Sequence, residues 1–193
     1  KSEAVSGDRA ETSGSSTDSG FDSGDGTQSD PFIIKTEEQL EKAVSGYYLH
    51  SWFKLGADIK IKKDNWKTEG TFVGILDGDG HVISGLKSNY GGLFDHLFGA
   101  TVKNLGLINV DISVKSNNVY VGALARGAND SEIINCYVSG NIKVEGNCIA
   151  AAFVGRGSGV KFRDCINKAT VEAEISAGFV ATAEESHAER CVN

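Results

Sequence analysis

Methionine is absent from this 193-residue chain and proline occurs once. No apolar run approaches the roughly 18 residues that a membrane-spanning helix needs. The scarcity of proline excludes collagen-like and proline-rich classes. With no methionine and a start at Lys1, the chain is expected to be a processed product or an excised fragment, any signal peptide lying upstream. Basic residues are outnumbered, 19 against 26 acidic ones. The net charge is −7 and the isoelectric point near 5.1, which disfavours nucleic acid as a partner, because phosphates require grouped Lys and Arg. The four cysteines contain no Cys-x-x-Cys, so zinc-ribbon and thioredoxin chemistry fall away. Neither H-E-x-x-H nor G-x-S-x-G occurs, and His50, His81, His96 and His187 are scattered.

Glycine is in excess at 24 residues, about 12% against a usual 7%. The acidic charge is concentrated at the start: residues 1–31 set Lys1 and Arg9 against seven carboxylates. That Ser/Gly/Asp-rich stretch has Phe21 as its only aromatic. It cannot bury enough apolar area to offset its ordering entropy, so residues 1–31 are expected to form a disordered acidic linker that packs on nothing, and residues 32–193 the domain. At the start of the domain, Thr36 and Gln39 have capping-box spacing, and Leu40, Ala43 and Val44 share one helical face ending at Ser45-Gly46. One helix of about two turns is predicted there. Beyond it the pattern is β throughout, over 47–55, 57–61, 70–76 and 81–83, with a turn at Asp77-Gly-Asp-Gly80.

Four segments repeat, beginning at Gly91, Val121, Ala151 and Ala177, spaced 30, 30 and 26 residues apart. In each, a small residue leads to a polar–apolar pair: Asn104-Leu105, Asn135-Cys136, Asp164-Cys165 and Arg190-Cys191. A period of this length with short β segments and no helix predicts the coils of a β-solenoid, whose stacking buries a core that no single coil could bury alone. Leucine-rich repeats lack their spacing here, and propeller blades are longer. Leu105, Leu107, Ile112 and Val114 are expected inside, as are Cys136, Val138, Ile142 and Val144, then Cys165, Val171, Ala173 and Ile175. The first of these sets slips register by one residue.

Three features together, Phe72-Val-Gly-Ile-Leu-Asp-Gly-Asp-Gly-His-Val-Ile-Ser-Gly-Leu86, then Gly91-Gly-Leu-Phe94, then the Asn-Cys-Tyr and Gly-x-Leu/Val units, resemble bacterial surface proteins with GLUG-type repeats. The resemblance covers residues 32–193. It implies a right-handed parallel β-helix of the kind found in adhesin-like surface proteins and in the N-terminal parts of immunoglobulin-A-cleaving metallopeptidases. The chain departs from the pattern where Asp95, Ala125 and Ala181 replace a turn glycine that Gly155 keeps. The chain stops at Asn193 inside a repeat, so either further coils follow or the last coil frays; the helix over 37–44 is expected to cover the other end.

Cys136, Cys165 and Cys191 fall at equivalent repeat positions, and all four cysteines are expected to be buried thiols, a strained disulfide being the alternative. Asp77-Gly-Asp-Gly-His81 begins like a calcium loop but lacks the later ligands, so a β-turn is expected and no metal. Gly155-Arg-Gly-Ser-Gly159 lacks the rest of a phosphate loop and reads as a turn. Asn104, Asn135, Asp164 and Arg190 form a mixed polar column of turn-stabilising side chains rather than a stacked catalytic set. For binding, Tyr90 and Tyr120 at equivalent positions, Tyr137 and Trp66 are the candidate ligand-binding aromatics, with partial core burial as the alternative for each. No catalytic residues and no cofactor are expected. The resemblance implies a non-enzymatic, secreted or cell-surface domain for adhesion or ligand display, with a glycan or protein as partner. Its alternatives are an accessory N-terminal segment of a secreted metallopeptidase, or a polysaccharide-cleaving enzyme.

Overall fold

The structure, a computed structural model, describes residues 20–193. After β1 (Phe32–Ile34) comes α1 (Glu37–Val44), the single helix among the described residues. Then follow β2 (Trp52–Leu55), β3 (Ile59–Lys60), β4 (Thr71–Phe72), β5 (Ile75–Asp77), β6 (Val82–Ser84) and β7 (Lys87–Ser88). One coil contains β8 (Phe94–Phe98), β9 (Thr101–Lys103) and β10 (Gly106–Lys115); the next contains β11 (Tyr120–Gly122), β12 (Ala125–Asn129), β13 (Glu132–Ile134) and β14 (Tyr137–Glu145). The chain continues through β15 (Ile149–Ala151), β16 (Val154–Ser158), β17 (Lys161–Arg163) and β18 (Ile166–Glu172), and finishes with β19 (Ile175–Ala177), β20 (Val180–Glu184) and β21 (His187–Glu189).

Each strand pairs in parallel with its counterpart in the next coil. The result is a sheet of seven strands (β1-β2-β5-β9-β13-β17-β21), one of six (β3-β6-β10-β14-β18, with β7 also on β10), one of five (β4-β8-β12-β16-β20) and one of three (β11-β15-β19). This is the predicted parallel β-solenoid. Its helix forms as expected: Thr36 Oγ1 accepts from the Gln39 amide, the Gln39 side chain accepts from the Thr36 amide, and Leu40, Ala43 and Val44 are buried. The β segment expected over 47–55 is shorter, because Tyr47-Tyr-Leu-His50 forms a protruding loop with Tyr47 exposed and only Trp52–Leu55 pairs.

The corners of the coils are built from residues in the left-handed region. Asn104, Asn135, Asp164 and Arg190 stack at one corner with φ of 54°, 50°, 53° and 51°. At a second corner Gly99, Asp130, Gly159 and Glu185 stack with φ of 55°, 47°, 64° and 48°. Asn and Asp tolerate this conformation better than other chiral residues. The corner amides of Asn104, Asn135 and Asp164, and of Gly99, Asp130 and Gly159, still reach the next coil, as in Asn104 N to Ile134 O at 3.0 Å and Asn135 N to Arg163 O at 2.8 Å. The side chains add a ladder: Asn135 Nδ2 donates to Asn104 Oδ1 at 2.9 Å, and Asn104 Nδ2 to Asp77 Oδ1 at 3.0 Å. Arg190 clamps both Asp164 oxygens, which holds that carboxyl below its ordinary range. The polar column is thus a turn-stabilising ladder.

Partial burial pushes the Asp77 carboxyl up. Hydrogen bonds from Asn104, the Asp79 amide and Lys103, whose ammonium is 3.1 Å away, outweigh it and hold the group below the usual carboxylate range. A carboxyl depressed in the folded state stabilises it above the unfolded pKa near 4 and loses that contribution as pH falls through the folded value. Asp77→Asn is therefore expected to cost about 1 kcal/mol at pH 7. The gap to the parent should narrow in urea titrations taken below pH about 4; an unchanged gap would show that the charge contributes nothing.

The interior carries a chain of rings. Phe21 stacks on Phe32 at 4.7 Å, Phe53 lies 5.9 Å from Phe72, and Phe72 lies 5.0 Å from Phe94. This corrects the linker boundary. Residues 1–19 lie outside the described residues, but 20–31 pack on the domain: Phe21 is buried, the Asp22 amide donates to Ile33 O, and Gly26 O accepts from the Trp52 amide. One ring inserted beside Tyr48 and Phe53 outweighs the polarity of its neighbours. Phe21 thus covers the N-terminal end together with α1.

The predicted inward residues of the middle coils are all buried, including Cys136 and Cys165. In the last coil Val171 and Ala173 are only half-buried and Ile175 is 51% exposed, because no described coil stacks beyond them. All four cysteines are free thiols, and Cys191 is only half-buried. The contact with Cys165, together with burial, pushes the Cys136 thiol well above its ordinary value.

Candidate functional site

The outer face of the β4-β8-β12-β16-β20 sheet carries a groove of about 570 Å³. Coil register decides which side chains meet there. Phe94 pairs with Ala125, Ala125 with Val154 and Val154 with Val180, steps of 31, 29 and 26 residues. The sequence period of 30 averages the first two. Asp95 therefore neighbours Arg126, while Arg156 sits beside Gly127 on one side and Thr182 on the other.

Arg126 is fixed from several directions. Its Nη1 donates to Asp95 Oδ1 at 2.7 Å and to Tyr90 Oη at 2.6 Å, and its guanidinium lies 4.3 Å from the centre of the Tyr90 ring. The Arg126 stem runs over Gly91, where a Cβ would come within 2.4 Å of it. His96 is held likewise: its ring lies over Gly127 and its Nε2 is 2.9 Å from Asn129 Oδ1. Arg156 is exposed and rests on Tyr120, 5.6 Å from the ring centre. Among the described residues no carboxylate lies within 4.0 Å of its guanidinium. Ser158, Thr182 and Glu184 complete this side of the groove.

Of the four candidate aromatics, Tyr90 and Tyr120 flank this groove. Standing 30 residues apart across a 31-residue step, they do not stack on each other; each carries an arginine instead. Tyr137 is half-buried on a different sheet, paired with Gly106 and Ile166, and takes no part. Trp66 is corrected to a core residue: it is 1% exposed and its Nε1 donates to Leu93 O at 3.1 Å. Its polar sequence neighbours hide a contact made with a later coil.

Gly155-Arg-Gly-Ser-Gly159 is also corrected. Residues 154–158 are the strand β16, and only Gly159 turns. A Cβ at Gly155 would lie 2.6 Å from Val121 N, so this glycine serves close packing rather than a turn. Asp77-Gly-Asp-Gly80 is the expected turn, closed by the His81 amide donating to Gly78 O at 2.8 Å, with Lys103 on Asp77 and Lys54 on Asp79. Sequence reasoning missed Arg126, Arg156 and His96. The available signal was the shared Arg-Gly in Ala125-Arg-Gly127 and Gly155-Arg-Gly157.

The molecule is a parallel β-solenoid repeat protein with a lateral polar groove. Residues 48–140, just under half the chain, match the family described as the M26 IgA1-specific metallo-endopeptidase N-terminal region. The chain is also similar in structure to a Bacteroides ovatus protein, solved by crystallography at 1.30 Å and described as a candidate immunoglobulin A1 protease. That likeness has a TM-score of 0.54 at 19% identity and covers 89% of this chain and 77% of the other. At this identity it speaks for the fold. No curated protein matches. The expected resemblance to the N-terminal parts of immunoglobulin-A-cleaving metallopeptidases is borne out.

Proposed function

We propose that this domain is the non-catalytic recognition segment of a secreted or surface-exposed bacterial protein of the immunoglobulin A1 protease kind, holding a glycoprotein while another part of that protein acts on it. The observation that carries this reading is the position of the matched segment. Residues 48–140 include Tyr90, Asp95, His96, Tyr120 and Arg126, the immobilised half of the groove. A solenoid is a rigid strip whose side chains repeat at fixed spacing, which suits it to lateral binding. Adhesion and substrate capture would use the same face, so the adhesive expectation narrows to attachment through a glycoprotein.

The test is to pass the chain over immobilised immunoglobulin A1 and follow both partners on denaturing gels. Reversible, saturable binding with both immunoglobulin chains intact supports the reading. Absence of binding at tens of micromolar overturns it, and the appearance of immunoglobulin fragments overturns the non-catalytic part.

A further inference from the structure

We infer that the groove between β8 and β20 takes a carboxylated saccharide, such as a uronic or sialic acid unit within a short glycan, with Arg156 receiving the carboxylate. The inference deepens the recognition reading above and rests on it for the source of the glycan.

The composition of the groove selects the ligand class. Its lining offers planar polar groups and hydroxyls, from Arg126, His96, Asn129, Tyr120, Ser158 and Thr182, and its apolar surface comes from ring faces, side-chain stems, Gly127, Ala128 and Gly157, with no large aliphatic side chain among them. A lipid chain or an aliphatic peptide anchor needs a pocket walled by large aliphatic side chains, which this lining does not supply, whereas ring faces and stems beside polar groups suit the mixed surface of a sugar. Sugar hydroxyls need donors and acceptors close together, and the groove sets Asp95 and Glu184 among its arginines and amide. A volume of about 570 Å³ falls within the usual range for small-molecule sites. The polar groups are also held in place before a ligand arrives, by Asp95 and Tyr90 on Arg126 and by Asn129 on His96. Prior immobilisation reduces the ordering cost of binding.

The charges then separate the two arginines. Arg126 already faces Asp95, at 2.7 Å. Arg156 stands on Tyr120 with no carboxylate partner among the described residues. A guanidinium presents parallel N–H donors that fit a carboxylate in bidentate fashion. Phosphate would fit the same fork, but Asp95 and Glu184 line the same groove and oppose a dianion more strongly than a monoanion. The net charge of −7 opposes polyanions further.

The test titrates the chain with matched oligosaccharides that differ only in carrying the carboxylated unit, by calorimetry, and repeats the immunoglobulin A1 capture after enzymatic removal of acidic sugars. Binding of the carboxylated glycan, with a loss of about tenfold or more in Arg156→Ala and a smaller loss in Arg156→Lys, is expected. Both variants should keep the parent's thermal midpoint, since Arg156 is exposed. Equal binding of the neutral glycan, or parent-like affinity in Arg156→Ala, overturns the inference. Capture that persists undiminished after removal of acidic sugars also overturns it while leaving the recognition reading intact. Free-glycan binding without any capture of immunoglobulin A1 sustains the inference and removes that reading instead.

Discussion

Gly140→Ala is expected to destabilise the domain by about 3 kcal/mol, read as a lowered urea midpoint. The reason lies one coil away. Strand β10 carries an extra residue between Leu107 and Val110, with Asn109 at a φ of 53°, so its pairing with β14 shifts there. Gly140 faces that bulge at a φ of +128°, and a Cβ on it would lie 2.2 Å from Val110 O and 2.3 Å from Val110 N. These are backbone atoms fixed by the ladder, so the added methyl has no rotamer to escape into. Gly80→Ala supplies the control. It too has a positive φ, of +83°, but a Cβ there meets nothing within 4 Å, so its cost should be about 1 kcal/mol, the conformational part alone. Equal midpoints for the two variants would mean that the bulge does not form as described.

Phe53→Ala is the second large effect, at about 4 kcal/mol. The Phe53 ring contacts those of Phe21, Phe32, Tyr48 and Phe72, and so joins the N-terminal cover to the coils behind it. In a stacked fold each coil touches chiefly its neighbours, so damage should stay local. Amide exchange is expected to accelerate first in β1, β2 and β5, while β13 and β17 keep their protection. Uniform acceleration along the chain would instead show a single cooperative unit without local opening.

The parts of this fold that were legible in the sequence are those fixed by short-range or repeated patterns. The helix was written in Thr36 and Gln39, a contact three residues long. The polar corner column was written in the regular recurrence of Asn104, Asn135, Asp164 and Arg190, because a corner must recur in every coil. What depended on distant partners was not legible. Trp66 sits among charged neighbours, yet its indole is satisfied by the carbonyl of Leu93. Phe21 lies in an acidic, glycine-rich stretch and is drawn in by Phe32 and Phe53. The groove was concealed by its register: Arg126 and Arg156 share an offset in the repeats, but unequal coils place them beside different residues of the preceding coil, Asp95 and Gly127.

The spread of rings along the interior has a mechanical consequence. Phe21, Phe32, Phe53, Phe72 and Phe94 tie the first coils together, and Phe153, Phe162 and Phe179 do the same further along. Among the described residues no ring pair joins the coil of β12 to either neighbour; its interior is built from Val, Leu, Ile, Ala and Cys. A tensile load along the long axis would therefore strain the joints on either side of β12 first, where Arg126 meets Asp95 and Arg156 lies beside Gly127. The groove would deform before the ring-packed coils came apart.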